Sequence, residues 1–193
     1  MNDSNRGRVS VVIPARNEEA NIERVVCSVA KQEHVAEIIV ADDQSDDRTG
    51  EILEGLKAEI PNLRVVRTGP LPAGWTGKAH AVAGGAGVAS AEWLLLTDAD
   101  TEHLPGSLET LLSRARSENV DLLSLSPGQE TPTWWEKAVI PLMYTELARR
   151  FLHEHRSKRA DVEIVQHNHV DPPVECAAIR PRVSAHGTIE ERE

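Results

Sequence analysis

Two carboxylates one residue apart, Asp98 and Asp100, close the apolar run Trp93-Leu94-Leu95-Leu96 after a single threonine. A run that short has no room for a helix and reads as a buried strand. Where the strand gives way to a loop, both acids can reach solvent at one edge of a sheet. Open α/β sheets bind ligands at the C-terminal edge of their strands. Two hard oxygen ligands there suit a divalent cation held together with the phosphates of a substrate. A polar loop in which an Asp caps a helix is the competing reading of an isolated Asp-x-Asp.

Other charged side chains fall at similar places. Residues 9–13 form a β-branched run that ends at Pro14, and Arg16 follows directly. A guanidinium at a strand end suits an anionic ligand; a solvated arginine explains it equally well. Asn17 is placed to cap a helix carrying Ile22, Val25, Val26 and Val29, and Glu18 and Glu19 suit that helix's positive end. A second strand, residues 38–41, runs into Asp42-Asp43-Gln44-Ser45-Asp46-Asp47. A turn and a helix cap account for Asp46 and Asp47. Asp42 and Asp43 sit at the strand end itself, where a carboxylate can accept a hydrogen bond from a nucleobase N–H or a ribose hydroxyl. Lys78 opens a helix over residues 79–89, against the helix dipole. Meeting a phosphate would explain that placement; a solvated lysine is the alternative. Trp75, in the turn-rich loop 68–77, either stacks on a ligand or pins the loop.

The elements that must hold these residues alternate. After the second strand come a helix with Ile52, Leu53, Leu56 and Ile60, stopped by Pro61, and a strand over 63–66. The loop and helix around Lys78 lead to the strand before Asp98. A helix with Leu108, Leu111, Leu112 and Ala115, a strand over 121–125 and a turn at 126–129 follow. Residues 134–147 carry Trp134, Trp135, Ala138, Val139, Leu142, Met143 and Leu147 on one broad helical face. Such a face packs in a core, meets a partner, or lies in a membrane interface with tryptophans at its start. Alternating strands and helices imply an α/β fold, a mostly parallel sheet with helices on both faces. In that fold Asp43, Asp98 and Asp100 converge on one edge with Arg16 and Lys78 nearby, which favours a ligand site over a plain loop.

The totals narrow the field. The chain has 193 residues, enough for one domain with a sizeable core. A net charge of −10 argues against nucleic acid as a partner. Residues 1–8 are polar and do not read as a signal peptide, and no stretch approaches 18 apolar residues. Cys27 and Cys176 lie far apart and read as free thiols in a reducing, cytoplasmic setting, membrane-associated if the 134–147 helix lies in an interface.

Taken together, these residues resemble a family-2 glycosyltransferase of the GT-A fold. The matching pieces are Val9-Ser10-Val11-Val12-Ile13-Pro14-Ala15-Arg16-Asn17-Glu18-Glu19, Ile39-Val40-Ala41-Asp42-Asp43-Gln44-Ser45-Asp46-Asp47, Gly77-Lys78 and Leu96-Thr97-Asp98-Ala99-Asp100. Leu71-Pro72-Ala73-Gly74-Trp75-Thr76-Gly77-Lys78 is similar to the subgroup associated with hopanoid and carotenoid biosynthesis, which implies a lipid-like acceptor. The resemblance covers residues 8–150 as the nucleotide-sugar half. It implies that Pro14 and Arg16 line a nucleotide pocket and that Asp43 reads the base, uracil in a UDP-sugar. It also implies that Lys78 borders the nucleotide or sugar, that Asp98 approaches the ribose or diphosphate, and that Asp100 ligates Mg2+ or Mn2+. A metal bridging diphosphate oxygens stabilises the charge that builds on the leaving nucleoside diphosphate.

Residues 151–193 depart from the family's pattern. The Gly-Gly turn, the Glu-Asp pair that supplies a general base and the Gln-x-x-Arg-Trp stretch are not found after Arg150. Residues 162–165 suggest one short strand, and Pro172, Pro173 and Pro181 oppose a long helix. This segment is expected to be an irregular tail from a truncated gene or a shifted frame, leaving the chain without a base for an acceptor hydroxyl. Its histidines and Cys176 match no standard zinc spacing. The alternatives are a nucleotide-sugar-binding remnant without turnover and a haloacid-dehalogenase-like phosphatase. The latter wants Thr or Val where this chain has Glu102, and carries its Asp-x-Asp on the first strand.

Overall fold

The computed structural model describes residues 7–125, 133–154 and 176–179. Eleven elements follow one another: β1 (Val9–Ala15), α1 (Ile22–Ala30), β2 (Val35–Asp42), α2 (Thr49–Glu59), β3 (Leu63–Arg67), α3 (Gly77–Ala86), β4 (Trp93–Leu96), α4 (Ser107–Ser117), β5 (Leu122–Leu125), α5 (Trp134–Glu154) and β6 (Cys176–Ile179). The strands form one sheet in the order β3-β2-β1-β4-β6-β5. The first four in that order run parallel, with β1 between β2 and β4.

Burial on both faces explains the near-continuous apolar runs of β1 and β2. On one face Val9, Val11, Ile13, Ile38, Val40, Trp93 and Leu95 meet the stripes of α1, α2 and α4. Ile22, Val25, Val26 and Val29 of α1 are almost fully buried there. Each such side chain contributes about 1.5–3 kcal/mol of transfer free energy. The other face of β1 and β2 carries α3. Its closeness depends on Gly85: a Cβ there would lie 2.5 Å from Val12 Cγ1. The small residues of α3 thus bring the helix backbone down onto the central strands.

The loops after β1 and β2 are tied to each other. Asn17 N–H donates to Ser45 Oγ (3.0 Å), and Asp46 N–H donates to Asn17 Oδ1 (2.9 Å). Glu18 N–H donates to Thr49 Oγ1 (2.8 Å), Glu19 N–H to Asp47 Oδ2 (3.1 Å), and Arg48 N–H to Glu19 Oε2 (3.1 Å). Asn17 therefore does not cap α1, whose N-cap position is Asn21 without a side-chain cap bond. Its left-handed backbone (φ 56°) turns its side chain to the neighbouring loop instead. The N-cap position of α2 is Arg48, again without a side-chain cap bond, and Asp47 serves the turn before it, its Oδ1 accepting from Thr49 N–H at 2.9 Å.

Of the C-terminal segment, residues 151–154, which continue α5, and 176–179 depart from expectation. Cys176–Ile179, placed by sequence in an irregular tail, forms β6 and inserts antiparallel between β4 and β5. Four residues, two of them alanines, carry too little β-propensity or alternation to signal a strand; backbone pairing on both sides supplies what the pattern lacks. The turn expected at 126–129, the strand expected at 162–165, and His155, His167, His169 and His186 lie outside the described residues. Helix α5 starts with a capping box: Thr133 N–H and Oγ1 donate to Glu136 Oε2 (2.8 and 2.6 Å), and Glu136 N–H donates back to Thr133 Oγ1 (3.4 Å). Trp134 (79% exposed), Leu142 (70%) and Met143 (65%) stand in solvent, so among the described residues this face is not core.

Candidate active site

The parallel strands β1, β2 and β4 end at the same edge of the sheet. Chain direction alone therefore puts Arg16, Asp43 and the Asp98–Asp100 pair together, each within a few residues of its strand end. A cleft of about 390 Å³ opens there. Its walls include Pro14, Arg16, Asp43, Lys78, Asp98 and Asp100, every residue to which the family resemblance gave a site role, but neither Asp42 nor Trp75. Glu18, Gly77, Ala81 and the Ala15 and Ala99 positions complete the lining.

Asp43 is the most fixed of the acids. Its N–H donates to Ala15 O (2.8 Å), which ties it to the end of β1. Thr68 Oγ1 donates to Asp43 Oδ1 at 2.8 Å, and Arg16 Nη1 reaches Oδ2 at 3.5 Å. Only 9% of the Asp43 side chain is exposed, against 67% for Arg16. Gly77 lies close to the same carboxylate: a Cβ there would sit 2.5 Å from Asp43 Oδ2. The absence of a side chain at the start of α3 leaves room for that carboxylate. Thr68 and Gly77 were not singled out by chemistry in the sequence. Thr68 directly follows β3, so the strand-end logic that found Asp43 would have found it too.

Asp42 serves the fold instead. Its Oδ1 accepts from Ser45 N–H (3.0 Å) and its Oδ2 from Arg67 Nε (3.3 Å), and the side chain is buried. One carboxylate of the pair shapes the turn, and its neighbour faces the cleft.

Lys78 stands in the first turn of α3, whose N-cap Thr76 accepts from Ala79 N–H at 3.3 Å. Its Nζ lies 2.7 Å from Asp98 Oδ1 across the cleft. Both side chains are accessible, 64% and 38% exposed. Asp100 is exposed, and its backbone carbonyl accepts from Arg24 Nη2 at 3.4 Å. Among the described residues no three His, Cys, Asp or Glu side chains group as a metal cage. Asp98 and Asp100 provide two carboxylates on an open wall. That set fits a hard cation only when phosphate oxygens or water supply the remaining ligands, as Mg2+ and Mn2+ sites on phosphate substrates do.

The loop that carries these acids is anchored beneath by His103, a residue the sequence reading passed over. His103 is 4% exposed, and its Nε2 lies 3.0 Å from Thr97 Oγ1, on the residue before Asp98. Ser28 Oγ accepts from the backbone N–H of His103 at 3.0 Å. Burial pushes its imidazole down to about 4, so it is neutral near pH 7.

A family model described as Glycosyl transferase family 2 matches residues 10–182. The chain belongs to glycosyl transferase family 2. A 4,4'-diaponeurosporenoate glycosyltransferase of Staphylococcus haemolyticus is 36% identical over 121 residues, 62% of this chain and 32% of that protein. The enzyme of the same name from Staphylococcus aureus (strain USA300) is 29% identical over 143 residues, 72% of this chain and 37% of the relative. The chain thus spans about a third of the length of these curated relatives. Among solved structures, residues 1–349 of S. aureus TarS in complex with UDP superpose with a TM-score of 0.51 at 26% identity, covering 65% of this chain and 38% of TarS 1–349. The mannosyltransferase PcManGT from Pyrobaculum calidifontis, in complex with GDP-Man and Mn2+, gives a TM-score of 0.59 at 21% identity, over 90% of this chain and 44% of the other. The fold is GT-A, as the sequence implied, and the family match extends beyond residue 150 to include β6.

Proposed function

We propose that the cleft binds the nucleotide-diphosphate sugar of a glycosyltransferase reaction, with UDP as the nucleotide. The observation that carries this reading is the meeting of Arg16, Asp43, Lys78, Asp98 and Asp100 on one cleft at the C-terminal sheet edge. In this reading Pro14 and Arg16 wall the nucleotide. Asp43, braced by Thr68, accepts the N–H of the uracil ring. Asp98 takes the ribose or diphosphate side, and Lys78 the diphosphate. Asp100 ligates Mg2+ or Mn2+, whose part when bound is to stabilise charge on the departing diphosphate. Lys78 adds a second positive charge at the same place, where it is worth more than in water. Transfer further requires a base for the acceptor hydroxyl. We assign none among the described residues, and donor binding does not depend on it.

The acceptor in this reading is lipid-like, which the names of the curated relatives support. The exposed apolar face of α5, with Trp134 and Trp135 stacked at 5.2 Å, then touches the membrane that would hold such an acceptor. No helix among the described residues is long and apolar enough to cross one. Trp134→Ser together with Trp135→Ser should abolish co-sedimentation with liposomes. Equal sedimentation of both proteins would refute the contact.

Calorimetric titration with UDP, GDP, CDP and ADP in the presence of Mn2+ tests the donor reading. UDP should bind tightest. Asp43→Ala should weaken it by about 1–3 kcal/mol, the cost of losing a charged hydrogen-bond partner. Equal affinity for all four nucleotides would remove Asp43 from base recognition.

A further inference from the structure

We infer that the Lys78–Asp98 ion pair is an exchange latch that makes diphosphate and cation binding in the cleft interdependent. The inference rests on the donor-site reading and goes beyond it. The pair spans the cleft at 2.7 Å and joins the start of α3 to the loop after β4. With both side chains accessible, 64% and 38% exposed, solvent weakens the pair and leaves it free to exchange partners.

While Lys78 holds Asp98, the charge of that carboxylate is offset and its Oδ1 is engaged. On the Asp98–Asp100 wall a cation then meets a single carboxylate outside an ion pair among the described residues, Asp100. A diphosphate entering the cleft offers Lys78 a more highly charged partner. The lysine's flexible four-carbon stem lets its ammonium turn from the carboxylate to the phosphate. That move leaves Asp98 and Asp100 as two uncompensated carboxylates beside phosphate oxygens, the set that suits a hard divalent cation. Run in reverse, a cation drawn to Asp98 releases Lys78 for phosphate. Linkage makes the two effects equal in free energy. On α2, outside the cleft lining, Lys57 Nζ pairs with Glu54 Oε1 at 2.7 Å. It serves as the internal control.

The test measures Mn2+ affinity of the full chain by electron paramagnetic resonance, with and without saturating UDP. Lys78→Gln should tighten Mn2+ in the absence of UDP and weaken UDP itself. The coupling factor should fall by about fivefold or more from the wild-type value. Lys78→Arg, which keeps a cation able to reach Asp98, should retain most of the coupling. Lys57→Gln should leave nucleotide-free Mn2+ affinity unchanged. An unchanged coupling factor in Lys78→Gln overturns the latch. So does equal tightening of Mn2+ by Lys57→Gln, which would show a general charge effect. If wild-type protein binds no UDP, or binds it equally with and without Mn2+, the donor-site reading falls and the latch falls with it.

Discussion

Adjacent acids in this chain do different work, and the difference lies in their hydrogen bonds. Asp42 is saturated by Ser45 and Arg67 and fixes a turn, whereas Asp43 keeps Oδ2 toward the cleft between Arg16 and the bare backbone of Gly77. Gly77→Ala would put a methyl 2.5 Å from Asp43 Oδ2. The carboxylate must shift, so UDP affinity should fall by about tenfold. The melting temperature should change by only a few degrees, the better helix propensity of Ala offsetting part of the cost of moving a carboxylate held by Thr68. Unchanged UDP affinity would mean that Asp43 tolerates the shift. Asp100→Asn should erase most of the gain in UDP affinity that Mn2+ provides, about 1–3 kcal/mol by calorimetry. The strand-end acids were legible in the sequence because strand direction alone fixes where they go. The split between Asp42 and Asp43 was not, since it depends on Arg67 and Thr68, about 25 residues away in the chain.

The elements that carry the site are fastened from outside it. Gly85 lets α3 approach β1, so Gly85→Ala should force α3 off Val12 and cost about 1–3 kcal/mol in urea unfolding. His103 fastens the Asp98 loop from below. Its imidazole, held down to about 4 by burial, takes up a proton in the unfolded chain near pH 6.5 but not in the folded one. Its contribution is therefore fully present above pH 6.5 and is lost as pH falls toward 4. Between pH 7 and pH 5 the protein should lose about 2 kcal/mol through this group, and His103→Asn should flatten that slope. Glu37 adds to acid sensitivity at lower pH. Burial alone would raise its pKa, but hydrogen bonds from Ser90 and Ser10 and from Arg64 hold it below the usual value. That stabilisation is present above the unfolded carboxyl pKa and is lost as pH falls through the folded one. Periodicity announced the helices and the first five strands. It gave no sign of His103, whose importance comes only from where the β4–α4 loop folds back on α1, or of β6, whose four residues show no alternation.

One side of the sheet is completed by a strand from far along the chain. β6 pairs with Leu94, Leu95 and Leu96 of β4 on one side and with residues 122–125 on the other. Deleting residues 156–193 would remove it and bare the backbone of two strands, so the melting temperature should drop by several degrees. An unchanged melting temperature would mean that β4 and β5 do not need it. Because β4 also leads into Asp98, the same deletion should weaken nucleotide binding. In the donor-site reading one cleft, at the C-terminal edge of β1, β2 and β4, takes the nucleotide diphosphate together with a divalent cation. Paramagnetic broadening of backbone amide resonances by Mn2+, recorded with and without UDP, tests it most directly. The claim requires UDP-dependent broadening centred on residues 15–16, 43, 77–81 and 98–100, and much less broadening in either ligand's absence. Broadening centred elsewhere, or identical with and without UDP, would contradict it.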